Sequence, residues 1–366
     1  MSSPDGACED SAFTERTVAQ RPDVLVVGLG PAGARAAAVA AAAGLQVLAI
    51  ERRARIGDPV QCAELVSAAF TVETMRWEAV TTQGIRRMVT RVEREPADST
   101  EGFAGRMISR RQFDQRLAEH AAACGARLVL GVTVSAVAAD GRIRLSNGQS
   151  LWPRALIGAD GPRSRVGAAI GRANRELVVA RQVTVRLEAP YDATDIFLRA
   201  EYRGGYAWLF PKGRDANLGV GVDQTERARL KLLLEALQAE LAADARISPA
   251  SGAMLTGGLI PVGGRLRACG RLGTVAVALA GDAAGLTNPV TGAGIEAAVR
   301  SGELAGRAVC AWLGGVGEAL QDYEEELGDL YDGAYARAQR HRREVLRCAD
   351  ARSLRRGWIS SPEYWA

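Results

Sequence analysis

Polar and apolar positions divide this chain into stretches of different character. Residues 1–20 are polar and read as a disordered tail. A short apolar run rich in β-branched residues, Val24 to Val27, follows at once and reads as a buried parallel strand, with the alanine-rich stretch Ala34 to Ala43 as its helix. Leu45 to Ile50 predicts a second buried strand. Residues 84 to 109 alternate loosely, as strands of an accessory sheet do, and Ser109 is placed to cap the helix after them. From about Leu177 to Ala268 the period becomes two, with Gly and Asp at the turns, which predicts an antiparallel sheet. Buried character returns at Val275 to Leu279, and a helix start follows at Pro289 to Glu296. The pattern specifies an α/β (α+β) fold. A Rossmann-type nucleotide-binding domain occupies residues 21–176 and 272–312, an antiparallel substrate domain is inserted at 177–271, and a helical C-terminal region fills 313–366.

Chemistry concentrates where apolar strands end. Gly28, Gly30 and Gly33 stand between the first strand and its helix, with Pro31 and Ala32 inside the turn. Gly28 permits the tight turn, Gly30 lets a pyrophosphate approach the backbone, and Gly33 lets helix and strand pack closely. The helix start offers free N–H groups and a positive dipole end. Glu51 closes the second strand at the spacing expected of a ribose partner, with Arg52 beside it. Asp160 ends the strand Ala155 to Gly158, and Asp282 follows Gly281 at the end of the Val275 strand. Asp282 suits a sugar-alcohol chain, while the amides of Gly292, Ala293 and Gly294 suit an electron-rich ring edge. Arg110 reads either as a cofactor contact or as a surface arginine.

Cys62 and Glu64 lie in a polar loop leaving the second strand, where crevices form in open sheets. The thiol reads either as a proton donor or as a small apolar group. Tyr206, Trp208 and Phe210 alternate onto one face of a strand that Pro211 ends, as either core or ligand wall. Arg337 to Arg356 holds eight arginines against Glu344 and Asp350. Such a run reads as a solvated helix face, or as one lying on an anionic membrane or a lipid diphosphate.

Composition narrows the class. Of 366 residues 48% are hydrophobic and 24% charged, ordinary for a globular enzyme. A net charge of +4 does not by itself imply nucleic acid. No apolar run approaches the roughly 20 residues that span a bilayer, and the start lacks the pattern of a secretory signal. Six scattered cysteines without a Cys-x-x-Cys pair predict reduced thiols in a cytoplasm. No metal-ligand cluster and no Ser/His/Asp set is evident.

The three glycine-and-acid signals together, Gly28 to Glu51, Gly158-Ala-Asp-Gly161 and Gly281-Asp-Ala-Ala-Gly285, resemble the flavoprotein monooxygenase superfamily. Within it, Pro59-Val-Gln-Cys-Ala-Glu64, Tyr206-Ala-Trp-Leu-Phe-Pro-Lys212, Gly257-Gly-Leu-Ile-Pro261 and the ending Arg356-Gly-Trp-Ile with Glu363-Tyr-Trp365 resemble the geranylgeranyl reductase family. The resemblance implies FAD as cofactor and saturation of isolated C=C bonds in a geranylgeranyl or other polyprenyl group. It gives Cys62, Tyr206, Trp208, Phe210 and Pro211 a place beside an isoprenoid or prenylated lipid, with Cys62 as candidate proton donor. With no second dinucleotide fingerprint in the chain, NADPH, a ferredoxin or a deazaflavin remain candidate electron donors. The setting it implies is cytoplasmic, with peripheral contact at the inner membrane surface. A flavin monooxygenase or halogenase is the rival enzyme, and a non-redox prenyl-lipid binding protein the rival of another class.

Overall fold

The computed structural model describes residues 21–249 and 255–359. The tail at residues 1–20 and the Glu363-Tyr-Trp365 motif lie outside them. The helices are α1 (Pro31–Ala42), α2 (Arg110–Ala123), α3 (Arg165–Ala169), α4 (Leu230–Ala243), α5 (Ile295–Leu313), α6 (Ala319–Arg347) and α7 (Ala351–Ile359).

Two sheets organise the molecule. The first has the spatial order Cys269–Leu272, Val275–Leu279, Ala155–Gly158, Val24–Val27, Val47–Glu51, Arg127–Leu130. All are parallel except the edge strand Cys269–Leu272. The three central strands are buried along their whole length, which their unbroken apolar runs require of a sheet covered on both faces. Against them lies α1, whose alanines 34, 36, 37, 38, 40 and 41 are all buried. Small residues on both partners let α1 and α5 approach closely: a Cβ on Gly302 would run into the backbone of Ala32.

The second sheet has the order Leu255–Pro261, Leu177–Arg186, Asp215–Asp223, Ala207–Lys212, Ala193–Leu198, Thr81–Val92, Asp98–Ile108, Leu65–Ser67. Its pairing runs across the boundary that the pattern places at 177, because Ala193–Leu198 lies parallel to Thr81–Val92. Strand alternation sorts its side chains. Leu209, Leu218, Val220, Val183 and Val185 pack with the leucines of α4 on one face. On the other, Trp208, Phe210, Ile196, Leu198, Met88 and Met107 pack with Leu354 and Trp358 of α7.

Two sequence readings change here. Pro211 does not end its strand, which runs through to Lys212 with Pro211 opposite Ala216. The Gly221 N–H donates to the Tyr206 carbonyl, so even-numbered residues of this strand face Asp215–Asp223. Pro211 therefore faces the other neighbour, whose pairing already stops at Leu209, and its missing N–H breaks no ladder bond. The arginine-rich tail is not simply a solvated face. Arg342 is buried, donating to Asp223 Oδ2 at 3.0 Å and to the Gly204 carbonyl, and Arg355 pairs with Glu95 and Asp98. These bonds dock α6 and α7 onto the second sheet. Among the described residues, no helix is long and apolar enough to cross a membrane.

Candidate cofactor and substrate site

The first-sheet glycines differ in what surrounds them. Gly28 has φ +96°, and a Cβ there would strike the Ala159 carbonyl. A Cβ on Gly33 would strike the Gly28 carbonyl, whereas one on Gly30 would meet nothing within 4 Å. Gly30 thus opens onto free space at the start of α1, a helix with Pro31 in its first turn and no side-chain cap. The start of α5 at Gly294 is likewise uncapped. Gly281 connects the two helix starts, since a Cβ on it would contact Ala32 and Ala298. Two uncapped helix starts around one space, with a glycine left open in the first, fit a dinucleotide cofactor.

The acidic residues at the strand ends are each engaged by groups of the protein. Glu51 accepts from Leu29 N–H at 2.9 Å and Arg53 N–H at 3.0 Å, which fixes its carboxylate under the glycine turn. Arg52 is exposed; Arg53 is the arginine that turns inward, donating to the Pro59 carbonyl at 2.9 Å. Both Asp160 oxygens are taken up in its own turn, by the Ser164 hydroxyl and the N–H groups of Arg165 and Val166. Asp282 accepts the Thr287 hydroxyl at 3.0 Å. Burial pushes its carboxyl up, and Thr287 and Arg110 oppose that. The amides of Gly292 and Ala293 are engaged by the Asn288 carbonyl at 3.0 Å and Thr291 Oγ1 at 3.3 Å.

Arg110 links these groups. Its guanidinium forms a two-point pair with Asp114 at 3.0 Å and bears on the Cys62 sulfur as charge and as hydrogen-bond donor. Burial pushes the Cys62 thiol up, with Arg110 as the main opposing influence. The same burial raises the Tyr206 phenol, and Cys62 adds to it. Cys62, Arg110, Tyr206 and Asp282 therefore share one neighbourhood, although they come from four separate stretches of chain.

The aromatic strand forms one wall. Tyr206 and Trp208 have ring centroids 5.7 Å apart, and Trp208 and Phe210 6.3 Å. The Tyr206 hydroxyl donates to the Thr291 carbonyl at 2.6 Å, which ties this wall to the loop before α5. Trp358 of α7 meets Tyr206 edge-on at 4.9 Å beside a cavity of about 40 Å³. Phe210 lies deeper and is fully buried. A second cleft of about 770 Å³ runs past Gln61, Arg163, Arg181, Arg227 and Gly257.

Several members of the site were not singled out from the sequence. Gln182 donates to the Cys62 carbonyl at 3.1 Å and accepts from the Trp208 indole at 3.0 Å. Lys212 and Asn217 both donate to Glu64, at 2.8 and 3.0 Å. One signal for Lys212 was present: lysine occurs only there and at Lys231. Gln182 carries no comparable signal, because only tertiary pairing brings its strand under Cys62.

Comparison with known proteins places the chain among relatives. The family described as Lycopene cyclase protein matches residues 23–363. The digeranylgeranylglycerophospholipid reductase of Methanosarcina mazei is 35% identical over 78% of this chain and 74% of its own. Among solved structures, a geranylgeranyl bacteriochlorophyll reductase-like protein from Thermoplasma acidophilum superposes with TM-score 0.79 at 26% identity, covering 93% of this chain and 92% of that one. A probable FAD-dependent monooxygenase from Pseudomonas aeruginosa shares the fold with TM-score 0.69 at 22% identity, covering 93% of this chain and all of that one (100%).

Proposed function

The chain belongs to the geranylgeranyl reductase family of FAD-dependent oxidoreductases and matches the family described as Lycopene cyclase protein, and from that premise we propose how its site saturates a prenyl chain. The observation that carries the reading is the place of Tyr206, which neighbours Cys62, packs against Trp208 and is tied by its hydroxyl to the loop before α5. The two aromatic rings and Val290 offer the apolar surface that an isoprenoid requires. Gly28, Gly30, Gly33, Glu51, Asp282 and the α5 start would hold FAD. Bound and reduced, FAD supplies the hydride that adds to one alkene carbon.

The chain's own residues supply the rest. An isolated alkene has no carbonyl to polarise, so the wall acts by fixing the double bond and excluding water. The other alkene carbon takes its proton from Cys62 Sγ, and the thiolate left behind is reprotonated from water. Burial keeps that sulfur loaded with its proton at neutral pH, while Arg110 stabilises the thiolate once it forms. The cleft with Arg163, Arg181 and Arg227 suits the anionic head of a prenylated lipid. Electrons enter from NADPH, a ferredoxin or a deazaflavin.

The test is anaerobic incubation of the dithionite-reduced holoprotein with geranylgeranyl diphosphate or a geranylgeranylated glycerophospholipid, followed by mass spectrometry of the lipid. The expected result is a gain of about 2 mass units per reduced bond, absent in flavin-free protein. An unchanged lipid with flavin bound and reduced would overturn the reading. Oxygen-dependent consumption of substrate would move it to monooxygenase chemistry.

A further inference from the structure

The loop that carries Cys62 ends in an unusual residue. Glu64 is a non-glycine residue at φ +70° and only 4% exposed. A left-handed backbone and a buried carboxylate both cost stability and persist only where the surroundings impose them. Here they do. Glu64 Oε1 accepts the Arg110 N–H at 3.0 Å, and Oε2 accepts Lys212 Nζ at 2.8 Å and Asn217 Nδ2 at 3.0 Å. The Glu64 N–H in turn donates to the Cys62 sulfur at 3.2 Å.

The bonds around this loop have a common direction. Asn217 also donates to the Ala63 carbonyl at 3.1 Å, and Gln182 holds the Cys62 carbonyl while accepting from the Trp208 indole. Three consecutive residues of the thiol loop are thus gripped from the second sheet. One gripping residue, Lys212, sits in the strand that carries Trp208 and Phe210. Shifting that strand would shift the thiol with it.

We propose that Glu64, clamped by Lys212 and Asn217, is a positioning residue for Cys62: it fixes where the sulfur sits against the aromatic wall and sets part of the charge the sulfur faces. The inference rests on the reading of Cys62 as proton donor for its purpose, but not for its geometry. The groups that face the sulfur are Arg110 from α2, with Asp114 behind it, Tyr206 from the aromatic wall, and Glu64 from its own loop, with Lys212 behind it. The Glu64 carboxylate disfavours a thiolate beside it, and its ion pair with Lys212 offsets part of that charge.

Two substitutions with opposite electrostatic signs separate this role from plain structural support. Alkylation of Cys62 by iodoacetamide in the lipid-free holoprotein, followed peptide by peptide in mass spectrometry, reads the thiolate fraction against pH. Glu64→Gln removes the anion and leaves the lysine, so the profile moves to lower pH by about one unit. Lys212→Met leaves the anion unopposed, so the profile moves the other way by a similar amount. Profiles that stay in place, or that both move in one direction as loosening of the loop would make them, would sink the proposal. Turnover of Cys62→Ser is a separate test: full activity would remove the proton-donor reading while leaving the alkylation result intact.

Discussion

At the scale of single residues, the glycines give the sharpest contrast, because adjacent members of one motif answer to different constraints. Gly33 is held by packing against the Gly28 carbonyl, and Gly30 by nothing in the protein itself. Gly33→Ala is expected to cost both folding and flavin. Gly30→Val is expected to leave the thermal unfolding of the flavin-free protein within about 0.5 kcal/mol of its parent while flavin absorbance after purification falls; flavin retention equal to the parent's in Gly30→Val would show that Gly30 faces no cofactor. Cys62 yields a pH prediction. Burial raises its thiol, so the donor is protonated throughout the neutral range and is lost only as pH rises through the raised value. Turnover should therefore fall only above the ordinary thiol range of about 8.5, and in Cys62→Ser that alkaline limb should disappear from whatever activity remains.

At the scale of elements, α7 is the piece whose role pattern alone leaves open. Its last turn buries Trp358 against Tyr206, and its exposed side pairs Arg355 with Glu95 and Asp98. The helix has nine residues, too few to stand alone in water. Its order depends on these contacts. Trp358→Ala should release α7, a local loss of about 3 kcal/mol, seen as faster amide exchange in residues 351–358 with the first sheet unchanged. Uniform acceleration across the chain would instead make Trp358 part of the global core.

At the scale of the molecule, the second sheet joins stretches far apart in sequence, and Asp195 lies at one junction. It is fully buried on the strand parallel to Thr81–Val92, pairing with Arg91 at 3.3 Å and with Arg246 from beyond α4. Removing one partner of a buried pair strands the other charge, so Asp195→Ala should destabilise the whole protein by about 3 kcal/mol, measured by denaturant unfolding. A loss below about 0.5 kcal/mol would mean that water already screens the arginines.

Much of this was legible in the chain. Unbroken apolar runs specify parallel strands buried on both faces, and glycine spacing specifies the turn between strand and helix, because both follow from local backbone geometry. Period-two alternation likewise places Tyr206, Trp208 and Phe210 on one face. Tertiary structure alone decided what that face meets. It brought Thr81–Val92 into the second sheet, docked the arginine-rich tail, and set Gln182, Asn217 and Lys212 around the Cys62 loop. The physical reason is range: strand and turn are written in neighbouring residues, whereas a hydrogen bond from Lys212 to Glu64 spans 148 positions and exists only once the distant strands of the second sheet have assembled.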